Sequence, residues 1–315
     1  MNELHLQDKF LIPFFRDGLG YKEVKANTVT QSLIIEEDLQ AFIEESSLNQ
    51  KPYEALLKKY KSDKKALLQD LMALLAERIA SSRNMALFIN ANKSISLQGI
   101  KLHLFYTSDS VIHGNALFDE NIFSVVQELP YKFNHQGAQI FSFRPDIVLF
   151  VNGIYLGYSE LKSNYTSQSA SKNGRGKVLK DYFEAVKVYH QHIDSNDMLG
   201  DKEKHNLRKD FLKIFESAIH ITTTDIGETY VIRTIADYFD EILATCREGK
   251  FDREEIEKKA HGVFKLYPLL KPDAEKKDKL KELFAALYGK LLIEKEILYY
   301  NFIERDVYVN KGVKE

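Results

Sequence analysis

Asp146, Glu160 and Lys162 are the residues of this sequence whose types and spacing could do chemistry. They lie in one string, RPDIVLFVNGIYLGYSELK, residues 144–162. Two apolar runs, 147–151 and 154–156, flank Asn152-Gly153, the strongest short-range hairpin signal a sequence offers. The runs are predicted to form two antiparallel strands, with both acids at the open end of the hairpin. Alternation along the second strand puts Glu160 and Lys162 on one face, roughly 7 Å apart. Paired carboxylates can hold Mg²⁺, which neutralises phosphate charge, and a lysine beside them can orient or activate an attacking water. The chemistry indicated is metal-assisted phosphodiester cleavage.

The simplest hairpin conflicts with that chemistry. If Asn152 and Gly153 alone close the turn, Asp146 faces Ser159 and Glu160 faces Pro145, which leaves the two acids on opposite faces of the sheet. A shared metal demands a shift by one, pairing Asp146 with Glu160. A three-residue loop of Asn152, Gly153 and Ile154 would supply it, as would a bulge near Gly157, where a missing side chain tolerates the distortion. The carboxylates are then expected within about 6 Å of each other, as ligands about 2.1 Å from one Mg²⁺ must be.

The Pro145-Asp146 pair followed by Glu160-Leu161-Lys162 resembles the PD-(D/E)xK nuclease motif. The fuller string resembles the N-terminal nuclease region of the restriction subunit of type I restriction-modification enzymes. So do Asn121-Ile122-Phe123 with Val125-Val126-Gln127, Gly20-Tyr21, and the strand over 219–224. The resemblance implies an α/β fold, a restriction-endonuclease-like mixed β-sheet flanked by helices, and Mg²⁺-dependent endonucleolytic cleavage of double-stranded DNA. Asp146, Glu160 and the carbonyl of Leu161 would be metal ligands, and Lys162 would position the water. Glu3 of the first helix and Tyr189 would support the site. Implied partners are methyltransferase and specificity subunits, the latter reading the DNA sequence.

Two features depart from that family's pattern. The Gln-x-x-x-Tyr helix has no glutamine here, because Ala185 stands four before Tyr189 and Val178 four before Tyr182. The chain also has no G-x-x-x-x-G-K-[ST] phosphate loop, so ATP would serve only a motor region absent from these residues. The expected organisation is a PD-(D/E)xK endonuclease domain over 1–245, then a helical segment over 246–315 leading toward that motor. The chain is expected to be a piece that ends before it.

The elements that must position the site are read from periodicity. Leu6, Phe10, Leu11, Phe14 and Phe15 form a helical stripe within 3–19, ended by Gly18-Leu19-Gly20. Helices follow over 36–45 and 52–60, and Ser62 is expected to cap another that runs to about 79. From residue 86 the pattern turns β-like, at 87–89, 102–106 and 122–133, with turns at 90–92 and 114–115. Residues 163–176 read as a polar loop. Helices over 177–192 and 201–217 follow, then a β pair over 218–224 and 229–234, and a charged helical stretch after about 240.

Composition narrows the classes. With 315 residues the chain can bury a sizeable core. A net charge of −2 gives no global basic signature, so nucleic-acid contact must come from a local patch or a partner. The lone Cys246 excludes a disulfide framework and fits a reducing compartment. The charged start MNELHLQDKF is unlike a signal peptide, and no apolar run reaches membrane-spanning length, so a cytoplasmic protein is expected.

Other readings stand beside these. Glu160 and Lys162 could be exposed strand-end charges, and Asp146 a simple strand opener. Lys172, Arg175, Lys177, Lys180 and Lys187 form a basic run that could contact DNA phosphates or merely be a solvated face. The histidines show no metal-ligand spacing, and no G-x-S-x-G supports serine catalysis. Two further functions are carried: a non-catalytic nuclease-fold module for assembly or DNA holding, and a stand-alone repair or phage nuclease.

Overall fold

The computed structural model describes residues 7–81, 88–89, 94–108, 116–162, 170–225, 229–232, 235–249 and 265–266, with 281, 285, 287–290, 292–294 and 297. Eleven strands are present among them: β1 (Lys22–Val24), β2 (Ser94–Leu97), β3 (Ile100–His103), β4 (Phe123–Gln127), β5 (Tyr131–His135), β6 (Ala138–Phe143), β7 (Ile147–Val151), β8 (Ile154–Leu161), β9 (His220–Thr224), β10 (Thr229–Ile232) and β11 (Lys265–Leu266). Seven form one sheet in the order β1-β4-β7-β8-β9-β10-β11, and β2–β3 and β5–β6 are separate hairpins. The sheet is mixed, because β1 pairs parallel with β4 and β8 with β9 while the other pairs run antiparallel. This is the α/β arrangement expected from the sequence, a mixed sheet with helices on both faces.

Helices α1 (Glu36–Glu45), α2 (Gln50–Lys59) and α3 (Lys64–Ser81) cover one face, together with helical turns at Gln7–Leu11 and Phe14–Gly18. Helices α4 (Arg175–Tyr189), α5 (Asp201–Phe211), α6 (Lys213–Glu216) and α7 (Phe239–Arg247) cover the other. Each layer has its own apolar cluster, the first around Phe15, Phe42 and Leu71, the second around Tyr182, Phe211 and Phe215. In the sheet between them every residue of β7 and β8 is buried. A strand covered on both faces loses the polar alternation of a half-exposed one, which is why β7 reads IVLFV without interruption. Fully buried Asp38 ties α1 to the sheet by accepting from Ser124 Oγ at 2.6 Å and Lys22 Nζ at 2.6 Å.

Several local expectations are corrected. Asp63, not Ser62, caps α3, its Oδ1 accepting from the Ala66 N–H at 3.0 Å, while Ser62 sits at φ 67° in the preceding turn. Residues 88–89 are helical rather than extended. The stretch 122–133 is split, because Glu128 at φ 44° ends β4 and β5 pairs instead with β6. Ala170–Gly174 is a helical lead-in to α4 rather than loop. The predicted turns at 90–92 and 114–115 lie outside the described residues. Beyond residue 245, β11 extends the sheet, and Leu287, Tyr288, Ile293 and Ile297 are buried in the first cluster. Tyr288 OH hydrogen-bonds Ser159 Oγ at 2.7 Å, so this part of the chain touches the central strand directly.

Candidate active site

The β7–β8 hairpin closes on Asn152 and Gly153, at φ 49° and 76°, the two positive angles of a tight two-residue turn. Gly153 is required for space as well, because a Cβ there would overlap the Ile35 carbonyl oxygen. Asn152 is anchored through its side chain, which accepts from the Ile122 N–H at 2.7 Å and donates to the Leu104 carbonyl at 2.9 Å. From this turn the register begins as the simplest one, with Val151 opposite Ile154 and Phe150 opposite Tyr155. It then shifts between Phe150 and Leu149. Leu149 faces Gly157, Val148 faces Tyr158 and Ile147 faces Ser159, so Leu156 is the extra residue of a β-bulge. Continued one step, that register sets Asp146 opposite Glu160. The shift demanded by the chemistry is present, and it comes from the bulge rather than from a three-residue loop.

Both acids are consequently directed to the face that α4 covers. Asp146 Oδ2 accepts from the Leu161 N–H at 2.6 Å, and the Asp146 carbonyl accepts from buried Gln7 at 2.7 Å. Burial pushes the Asp146 carboxyl up to about 7, and the Glu160 charge pushes the same way, against the Leu161 N–H and the two lysines. Glu160 is only 1% exposed. Its Oε1 accepts from Lys162 Nζ at 2.6 Å and from Lys177 Nζ, while its Oε2 is buried with no hydrogen-bond partner among the described residues. Lys162 Nζ also donates to the Leu161 carbonyl at 2.8 Å.

The reading of Glu160 and Lys162 as exposed strand-end charges is overturned. Lys162 is only 6% exposed. Its amide donates to the Thr224 carbonyl at 2.8 Å, which extends the β8–β9 pairing past the end of the strand and carries the side chain under α4. Taking a carboxylate and an ammonium out of water costs several kcal/mol each, and their attraction often fails to recover it. A charge set held in this way is better explained by use than by stability.

Helix α4 adds Lys177, which the sequence offers only as one member of a basic run, and Asp181, which it does not announce. Lys177 is half-buried and paired to Glu160 across the sheet–helix boundary. Asp181 follows one helical turn later. Burial pushes its carboxyl up to about 6, with Lys177 opposing and Glu160 assisting. Gly174 lets the helix come this close: a Cβ there would overlap Thr223 Oγ1 and approach Lys162 Cγ to 3.3 Å. Thr223 stands opposite Glu160 on β9, and its buried hydroxyl oxygen has no hydrogen-bond partner among the described residues.

The remaining candidates are dispersed. Arg175 is buried, with its guanidinium 4.2 Å from the Tyr230 ring centroid. Lys180 is half-buried on α4, and Lys187 pairs with Glu184 at 3.8 Å. Tyr189 donates to the Lys204 carbonyl at 3.2 Å and packs on Phe239, about 18 Å of helix rise beyond Lys177. Ala185 is buried in the core. Glu3 and the side chain of Lys172 lie outside the described residues. Gln7 and Asp181 are the site neighbours that sequence reasoning missed. The only signal for Asp181 was its i,i+4 spacing from Lys177, and Gln7 had none.

Asp146, Glu160 and the Leu161 carbonyl form a hard oxygen set suited to Mg²⁺, and the unpartnered buried Glu160 Oε2 is the kind of atom such an ion would satisfy. Among the described residues no group of three or more histidines, cysteines or acids could hold a metal. No described helix is long and apolar enough to cross a membrane. A family model described as the type I restriction enzyme R protein N terminus matches residues 1–197. No curated protein and no solved structure matches.

Proposed function

Because the chain belongs to the family of type I restriction enzyme R protein N termini, we propose that it is the Mg²⁺-dependent endonuclease region of such an enzyme. The substrate is double-stranded DNA and the bond broken is a backbone phosphodiester. The observation that carries this reading is the bulge at Leu156, which sets Asp146 opposite Glu160, whose buried Oε2 has no hydrogen-bond partner among the described residues. Without a use for both acids on one face, the register shift and the buried charges are an unrewarded cost.

Asp146, Glu160 and the Leu161 carbonyl would hold the ion. Bound there, Mg²⁺ supplies neutralisation of phosphate charge and Lewis-acid polarisation of its oxygens. The Leu161 N–H fixes the Asp146 carboxylate, and Gln7 fixes the backbone that carries it. Lys162, locked between Glu160 and the Leu161 carbonyl, orients the water for in-line attack and offsets negative charge as it develops. Burial of Glu160 and Lys162 strengthens these interactions by keeping water from them. Partners consistent with the family are methyltransferase and specificity subunits, with sequence recognition assigned to the latter.

The test is conversion of supercoiled plasmid by the assembled enzyme, comparing Asp146→Ala with wild type. Loss of nicking and cutting by at least about a hundredfold is expected. Cleavage at the wild-type rate would remove the assignment.

A further inference from the structure

Two ammonium groups converge on Glu160 Oε1, and they are not equivalent. The Lys162 side chain is 7% exposed and comes from the end of β8, whereas that of Lys177 is 41% exposed and reaches over from α4. One is clamped by the Leu161 carbonyl as well as Glu160. The other has a route to solvent, and it feels Asp181 and Asp146 as well as Glu160. When ionised, the three carboxylates exceed the two ammonium groups by one charge. A divalent cation together with one phosphodiester brings that set to neutrality.

We propose that Lys177 is a displaceable counter-ion, which neutralises Glu160 until a divalent cation binds there and then turns outward to the phosphate of the bound DNA strand. The proposal rests on the nuclease reading above and assigns Lys177 a role separate from that of Lys162. A cation on the unpartnered Glu160 Oε2 cancels the charge that holds Lys177 on Oε1 and repels its ammonium, so metal entry loosens the more exposed lysine, and Asp181 one turn away keeps the freed ammonium at the mouth of the site. DNA and metal then support each other. The phosphate offers Lys177 a new partner, and its departure removes a like charge from beside the ion.

The experiment is calorimetric titration of Mg²⁺ into the full chain and into its Asp146→Ala, Lys177→Met and Lys177→Gln variants. Affinity for a fluorescent DNA duplex in Ca²⁺ is measured alongside. Both Lys177 variants are expected to bind Mg²⁺ on the order of tenfold more tightly, since a competing charge is gone. They should bind duplex several-fold more weakly, with a salt dependence lower by about one phosphate contact. Asp146→Ala should lose Mg²⁺ binding. If Asp146→Ala loses it while the Lys177 variants bind Mg²⁺ no more tightly than wild type, the counter-ion role is overturned and the metal site stands. If Asp146→Ala keeps its affinity, the metal site fails and the counter-ion role fails with it.

Discussion

Tyr155 and Tyr158 stand three apart in one strand, yet both face the layer formed by α4 to α7. Tyr155 OH donates to the Ile214 carbonyl at 2.6 Å, and the Tyr158 ring packs on Phe215 at 6.2 Å between centroids. Residues an odd number apart in a regular strand face opposite ways. The shared face is therefore the side-chain record of the bulge at Leu156, and the same change of parity turns Glu160 toward Asp146.

Gly157 is the weak point of that arrangement. A Cβ there would overlap the His220 carbonyl oxygen across the β8–β9 pair. Gly157→Ala is expected to destabilise the fold by about 1–3 kcal/mol, read from the urea midpoint, and to weaken Mg²⁺ binding by disturbing the register. Unchanged stability and metal affinity would show that the close approach is unimportant.

Gly174 and Thr223 give a second packing test. Gly174→Ala should cost about 1–3 kcal/mol through overlap with Thr223 Oγ1. Since the buried Thr223 hydroxyl has no partner among the described residues, Thr223→Ala should be nearly neutral and should restore much of the loss in the double variant. A double-mutant cycle with no coupling would contradict the contact.

How much of this was legible follows from where the signals lie. Asn152-Gly153 between two apolar runs announced its hairpin. The β2–β3 and β5–β6 hairpins turn on Gln98-Gly99 and Gln136-Gly137, with glutamine at φ 50° in both, a residue seldom read as a turn former. The bulge has no local signature beyond Gly157, and it was anticipated only because the chemistry needed both acids on one face. Exposure of Lys162 stays open as an alternative in the sequence, which does not reveal that α4 lies over the strand end. Lys177 looked like one member of a basic run for the same reason, since its partner lies across a helix–sheet contact that Gly174 permits.

Lys162→Met should abolish cleavage in the assembled enzyme and also lower stability by about 1–3 kcal/mol, because Glu160 keeps Lys177 as its remaining cation while losing a buried partner. Plasmid cleavage and thermal unfolding read the two effects separately. Retained cleavage would exclude Lys162 from the reaction.

Glu216 supplies a pH test away from the site. Burial raises its carboxyl above the usual 4.5, outweighing Arg208 and the Tyr182 hydroxyl. Between that value and its raised folded-state pKa, the native protein holds more proton than the unfolded chain. The contribution of Glu216 to stability therefore falls as pH rises through this window. Glu216→Gln should flatten the slope, measured by urea unfolding at about pH 5 and about pH 7. An unaltered slope would place the titration elsewhere.

The central claim is that Asp146 and Glu160 serve one metal ion, and the most direct measurement is anomalous diffraction from crystals soaked in Mn²⁺. A single peak is predicted between the two carboxylates, at ligand distances near those of Mg²⁺, about 2.1 Å, and shared with the Leu161 carbonyl. A peak elsewhere, or none between Asp146 and Glu160 in a protein that still cleaves DNA, would contradict it.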